Sequence, residues 1–165
     1  MKALTIWQPW ASLLACGAKQ YETRSWATKY RGPIAIHAGK KFGEMDFGYK
    51  DGKNTILDAL RDCGNTQHPL PLGAVIATAE LVNCWYIVHN PGTDIDVAKH
   101  IPIGAESMAR DKHAPDFGDY FVPTEREMFL GDWTPGRYAW EFANVKMLNE
   151  PIPAKGMQGL WNWEG

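Results

Sequence analysis

Apolar and polar positions alternate with a period of two over residues 2 to 7, Lys-Ala-Leu-Thr-Ile-Trp, and that spacing predicts a strand. Gln8-Pro9 then opens a short apolar helix through Cys16, since proline suits an early helical position and Gly17 supplies the C-terminal cap. Alternation returns from Tyr21 to Trp26. As a strand it puts Glu22, Arg24 and Trp26 on one face and Tyr21 and Thr23 on the other. After Gly32-Pro33 comes a third strand, Ile34 to Ala38, with its isoleucines on one side and His37 on the other. Glycines at 39, 43, 48 and 52 make residues 39 to 53 a loop, and a helix over 54 to 63 stops at Gly64.

The second half continues in the same style. Pro69 to Gly73 turns into the longest β-like stretch, 74 to 88, with a bend expected near Asn83. Residues 89 to 119 are punctuated by Pro and Gly and read as a connection with at most a short helix. Thr124 followed by Glu127 forms a capping box for a brief helix through Phe129. Pro135-Gly136 turns into a strand over 137 to 147 with Tyr138, Trp140, Phe142 and Asn144 on one face, a wall of aromatics. The glycine-broken tail ends in Leu160, Trp161 and Trp163, which should fold back on the body.

Strands outnumber helices, so the pattern predicts an α+β, mainly β fold: a small β-barrel with short decorating helices, one domain over residues 1 to 165. That length buries a core without staples. No apolar run reaches the roughly 20 residues of a membrane-spanning helix, so no membrane partner is expected. The start of the chain meets Pro9 and two tryptophans too early for a secretory leader, and a cytoplasmic setting is expected. Cys16, Cys63 and Cys84 are odd in number and show no Cys-x-x-Cys spacing, which argues against a disulfide framework or a cysteine zinc site. His37, His68, His89, His100 and His113 lack metal-ligand spacing, so neither metal nor other cofactor is expected. The sequence sets no oligomeric state.

Net charge is −2, which excludes a chain that coats nucleic acid over its whole surface. The basic residues are instead local. Lys19, Arg24, Lys29, Arg31, Lys40 and Lys41 fall in the first quarter, where the nearby acid is Glu22. Lys19, Glu22 and Arg24 mark the candidate site. Lys19 either stays charged and holds phosphate or acts as a base with a lowered pKa. Glu22 and Arg24 form an ion pair, or Arg24 forks a phosphate while Glu22 accepts a base amino group. Gln8, Trp10 and Ser12 open the first helix, whose amides suit an anion. His37 is a satisfied core histidine or a cavity-lining contact, and Lys40 adds charge. The chain has eight tryptophans, of which Trp10, Trp26 and Trp161 are the candidate stacking platforms, with core packing as the competing role for each.

The run Gly17-x-Lys19-x-x-Glu22-x-Arg24 resembles the signature of the ASCH domain family, with Leu4-Thr5-Ile6-x-Gln8-Pro9-x-Ala11, the 34 to 38 strand, residues 73 to 81 and the 136 to 147 strand extending the match. The resemblance implies a PUA-like β-barrel and a cleft that accepts RNA, a nucleotide or a nucleoside. Some members resemble amidohydrolases that deacylate the exocyclic amine of acetylated cytidine with a motif Lys, a Thr three positions on and a more distant Glu; others are ribonucleases or nucleic-acid binders. Glu22 stands at that Thr position here, and Thr23 faces the other way. Binding of RNA or a modified nucleotide is therefore the leading expectation. An enzyme on the same cleft, a metal-independent ribonuclease or an amidohydrolase on N-acylated cytidine with Lys19 as base and Glu22 or Glu80 assisting, is the alternative, and a protein-interaction module with a vestigial site is the third.

Overall fold

The computed structural model describes residues 1–43, 56–64, 69–89, 96–99 and 119–165. They fall into two compact units, the first made of Met1–Gln20, Gly32–Leu81 and Phe142–Gly165 and the second of Tyr21–Arg31 and Val82–Glu141.

In the first unit, strand β1 (Lys2–Gln8) lies parallel to β3 (Gly32–Phe42), with Leu4 opposite Ile36 and Thr5 opposite His37. The C-terminal strand β8 (Leu160–Asn162) adds antiparallel to the other edge of β1, with Trp161 opposite Ala3. The first half of β4 (Ala74–His89) pairs antiparallel with β3. Helix α1 (Trp10–Ala15) packs on β1 and β3, and with Leu4, Ile6, Ile34 and Ile36 its Leu13 and Leu14 are almost wholly buried. The opposite face, Ala3, Ala35 and Val75, is covered by Trp161 and Trp163 with Leu148 and Ala154. A strand covered on both faces cannot alternate cleanly, which is why Ile34 through Gly39 are buried without interruption. The Met1 amine donates to the Trp163 carbonyl at 2.7 Å and the Trp163 amide to the Met1 carbonyl at 2.8 Å, so the two ends hold one another. Helix α2 (Ile56–Asp62) ends beside Cys63, which is disulfide-bonded to Cys16 at the C-cap of α1.

In the second unit, β2 (Tyr21–Arg24) pairs antiparallel with the start of β7 (Tyr138–Pro153), placing Glu22 opposite Trp140 and Thr23 opposite Ala139. The second half of β4 pairs with β5 (Asp96–Lys99), and β5 pairs with β6 (Tyr120–Phe121). Helix α3 (Glu125–Leu130) begins at Thr124, whose hydroxyl accepts the Glu127 amide at 3.2 Å as the capping box requires. Ile87, Ala98, Trp133 and Ala139 form one buried cluster here, and Tyr86, Val88 and Val97 another.

Mainly β structure with a few short helices matches expectation; closure does not. Among the described residues the ladders run β2-β7-β4-β3-β1-β8 without joining their ends, so the sheet they form is not closed into a barrel. Strand count and turn chemistry report how many strands exist, not which edges meet. Other differences are local. β2 stops at Arg24, which leaves Trp26 outside the strand. β3 continues past Ala38 to Phe42, since β1 offers it a partner where the sequence suggested a loop. β4 runs unbroken through Asn83, and β5 occupies part of the expected connection. The bond between Cys16 and Cys63 runs against the argument from cysteine number and spacing, because spacing along the chain does not reveal that two helix ends meet. The remainder of the expected 39 to 53 loop, residues 54 and 55, and most of the 89 to 119 connection lie outside the described residues.

Candidate functional site

The first unit carries the motif lysine. α1 ends at Cys16, and Gly17 takes a φ of +78°, a left-handed value that side-chain-bearing residues rarely adopt. The chain then folds back along the helix, so the Lys19 amide donates to the Leu13 carbonyl at 3.1 Å. Its side chain is only 1% exposed. An ammonium removed from water costs several kcal/mol unless it is compensated, and Lys19 is engaged within the protein.

Gln8, the last residue of β1, is fully buried. Its side-chain amide donates to the Pro71 carbonyl at 2.8 Å, and its oxygen accepts the Ser12 amide at 3.1 Å. The helix-start amide expected to meet an anion at Ser12 is thus bound by Gln8, and Ser12 is itself buried. Trp10 is half-buried, with Gly43 so close against its indole that a Cβ there would overlap the ring. Lys40 is exposed. Trp161 is 7% exposed, donates its Nε1–H to the Thr5 hydroxyl at 3.1 Å and meets His37 edge-on at 5.6 Å, so its ring is packed rather than open.

His37 is buried, with Nε2 at 3.1 Å from the Ala154 carbonyl and no hydrogen-bond partner for Nδ1 among the described residues. The carbonyl fixes the neutral tautomer with the proton on Nε2. Gly156 passes so close to the ring that any Cβ would collide with it. Burial pushes the His37 pKa below its usual value, against the opposing pull of the Ala154 hydrogen bond. The unfolded chain therefore binds this proton more readily than the folded one. Its contribution to stability is complete above the unfolded-state pKa of about 6.5 and is lost as pH falls through the lower folded value. Thermal melts from pH 7 to pH 5 should show a falling midpoint, and His37→Gln should flatten part of that slope; an unchanged slope in the variant would place the titration elsewhere.

The second unit carries the remaining motif charges. Arg24 Nη2 lies 3.1 Å from Glu22 Oε1, with side-chain exposures of 26% and 12%. These residues are two apart on one strand and so share a face. Thr23 faces away: its hydroxyl accepts the Asp132 amide at 3.1 Å and its carbonyl accepts from Arg137 Nη2 at 3.3 Å. Trp26 is 36% exposed; its carbonyl accepts Trp140 Nε1–H at 3.2 Å and its ring meets that of Trp140 edge-on at 4.5 Å. Of the expected aromatic wall, Trp140 and Phe142 are buried in the core, Tyr138 is half-buried and Asn144 is exposed.

Sequence reasoning missed two polar groupings. Asp132 accepts from the Thr134 amide and hydroxyl and pairs with Arg137 at 3.1 Å. Burial raises its carboxyl pKa, but the Thr134 hydrogen bonds and the Arg137 charge outweigh that and hold it below the usual carboxylate range. The Asp-x-Thr spacing before Pro135-Gly136 was a usable turn signal. Tyr21 stacks on Phe121 at 4.7 Å, and burial, then the charges of Glu141 and Glu127, push its pKa up to about 12. Glu141 also accepts Trp85 Nε1–H at 2.8 Å. Among the described residues no group of three or more His, Cys, Asp or Glu side chains could hold a metal ion, and no helix is long and apolar enough to cross a membrane.

A mainly β chain whose helix-to-strand turn carries a buried lysine, followed by a strand-borne Glu–Arg pair, belongs to a recognisable class of small β-rich domain. The ASCH domain profile matches residues 4–152, and the chain belongs to the ASCH domain family. It is similar to activating signal cointegrator 1 of Homo sapiens, at 31% identity over 87 residues, and of Mus musculus, at 32% over 87 residues. Each match covers 49% of this chain and only 14% of the relative, so the likeness concerns a small part of those proteins.

Proposed function

We propose that this ASCH domain, a single domain of the PUA-like kind, binds RNA or a nucleotide through the residues of its Gly17–Arg24 run. Arg24 meets phosphate or carbonyl oxygens and Glu22 meets a base amino group. The observation that carries this is the burial of Lys19. A scaffold needing only a core residue there is served at least as well by an apolar side chain, whereas a buried ammonium is costly and is typical of binding and catalytic sites. Binding is favoured over deacylation because Glu22 stands three positions after Lys19 and the Thr23 hydroxyl is taken by the Asp132 amide.

Fluorescence anisotropy with a 5′-labelled single-stranded RNA tests it. Arg24→Ala, at a partly exposed position, should weaken binding about tenfold and reduce the magnitude of the salt slope by about 0.7. Lys19→Met, which keeps most of the buried volume, should also lose affinity, and neither protein should turn over RNA or acetylated cytidine. Wild-type protein that ignores RNA and nucleotides, or two variants that bind like wild type, would defeat RNA binding at these residues.

A further inference from the structure

Where the parallel strands β1 and β3 finish, the first unit exposes a second set of aromatic and cationic side chains that the motif does not include. Ala3, Thr5 and Trp7 share one face of β1 by alternation. Ala3 packs in the cluster with Trp161 and Trp163, yet Trp7 on the same face is 51% exposed. The register explains how β3 meets it. Ile6 is opposite Ala38 and Gln8 is opposite Phe42, so between those pairs β3 spends Gly39, Lys40 and Lys41 against Trp7 alone. Such a bulge breaks the regular ladder and re-aims side chains.

Each residue of the bulge has a use. A Cβ on Gly39 would lie 3.2 Å from Trp7 Cδ1 and 3.3 Å from Thr5 Cγ2, so glycine lets the indole lie close on the β3 backbone. Lys41 Nζ is 5.7 Å from the Trp7 ring centroid, a cation–π distance. Lys40 is exposed, with its stem along Gly73, where a Cβ would sit 3.1 Å from Lys40 Cε. Phe42 pairs with Gln8 and so leaves the sheet on the face opposite Trp7, and the Gly43 amide donates to the Gln8 carbonyl at 2.8 Å, closing the bulge. Throughout residues 1–43 the one acidic residue is Glu22, which is paired with Arg24.

We propose that Trp7, with Lys41 against its ring and the neighbouring exposed Lys40, forms a stacking platform for a single-stranded RNA segment. A base lies on an aromatic ring and the flanking phosphates meet the two ammoniums. Every base offers a π-face and every nucleotide a charge, so the platform tolerates any sequence. An apolar protein partner would use the indole but not the lysines, and an acidic peptide the reverse. The platform rests on the RNA reading proposed above but uses none of the motif residues.

The test is anisotropy titration of the full chain with 5′-fluorescein-labelled oligouridylate about ten nucleotides long, beside uridine monophosphate in a competition assay. Trp7→Ala should weaken oligonucleotide binding about tenfold with the salt slope unchanged, and Trp7→Phe should restore most of it. Lys40→Ala with Lys41→Ala should reduce the magnitude of the salt slope by about 1.4. Mononucleotide competition should stay unaltered in all of them. If Trp7→Ala binds the oligonucleotide within twofold of wild type while Arg24→Ala loses it, the platform is overturned and the motif site stands. If wild type binds no RNA, both fall.

Discussion

Trp140→Ala is expected to be among the most destabilising single substitutions in the second unit, costing about 4 kcal/mol. The side chain is 0% exposed, so truncation leaves a cavity as well as losing the transfer free energy of the ring. Two further losses add to this. The indole Nε1–H no longer reaches the Trp26 carbonyl at 3.2 Å, and the edge-on contact between the rings at 4.5 Å disappears. An aromatic pair of this kind contributes about 0.5–1.5 kcal/mol beyond buried area. For a chain of this size the thermal midpoint should fall by roughly 8–16 °C. Trp140→Phe keeps the ring contact and loses the donor, so it should recover more than half of the loss. A midpoint within about 2 °C of wild type for the alanine variant would mean that this part of β7 collapses around the deletion without cost.

The same tryptophan marks where local pattern succeeds and fails. Period-two alternation put Trp140 on a strand and Glu22 beside Arg24, and both placements depend on neighbours along one chain. The capping box at Thr124 was equally local. What alternation could not tell was which face is wet. Trp161 was a candidate platform with core packing as its competing role, Trp140 stood in the aromatic wall, and the surroundings of both come from residues far away in sequence. Trp140 meets the Trp26 carbonyl, and Trp161 meets Thr5 and His37. The surroundings of His37 likewise come from distant residues, Ala154 and Gly156. The extension of β3 to Phe42 failed for a related reason. Gly39-Lys40-Lys41 has no strand signature of its own, and only the partner β1 carries it onward. The motif was legible because its three charges lie within a few residues, whereas the burial of Lys19 depends on the fold-back at Gly17.

Cleaving the Cys16–Cys63 bond is expected to cost about 4 kcal/mol and to lower the thermal midpoint by roughly 8–16 °C. The two residues are 47 apart in sequence, so the bond removes the freedom of a long loop from the unfolded chain, and the chain-entropy model makes long loops the more strongly stabilised. The bond's position gives it a second consequence. Cys16 is the C-cap of α1 and Gly17 makes the turn that returns the chain to Leu13, so the tether holds the residue from which the motif departs. Reduction should therefore speed hydrogen exchange at the Lys19 amide, which donates to the Leu13 carbonyl, before the ladder amides of β1 and β3 respond. Melts and exchange in the presence and absence of a phosphine reductant measure both effects. The double variant Cys16→Ser with Cys63→Ser should start from the lower midpoint and ignore the reductant. Cys84 does not confuse the comparison, since burial pushes its thiol pKa up, against the pull of Thr28 and Arg31, and leaves it unreactive. If wild type melts at the same temperature with and without reductant, and Lys19 exchanges at the same rate, the link between α1 and α2 does not hold the motif turn.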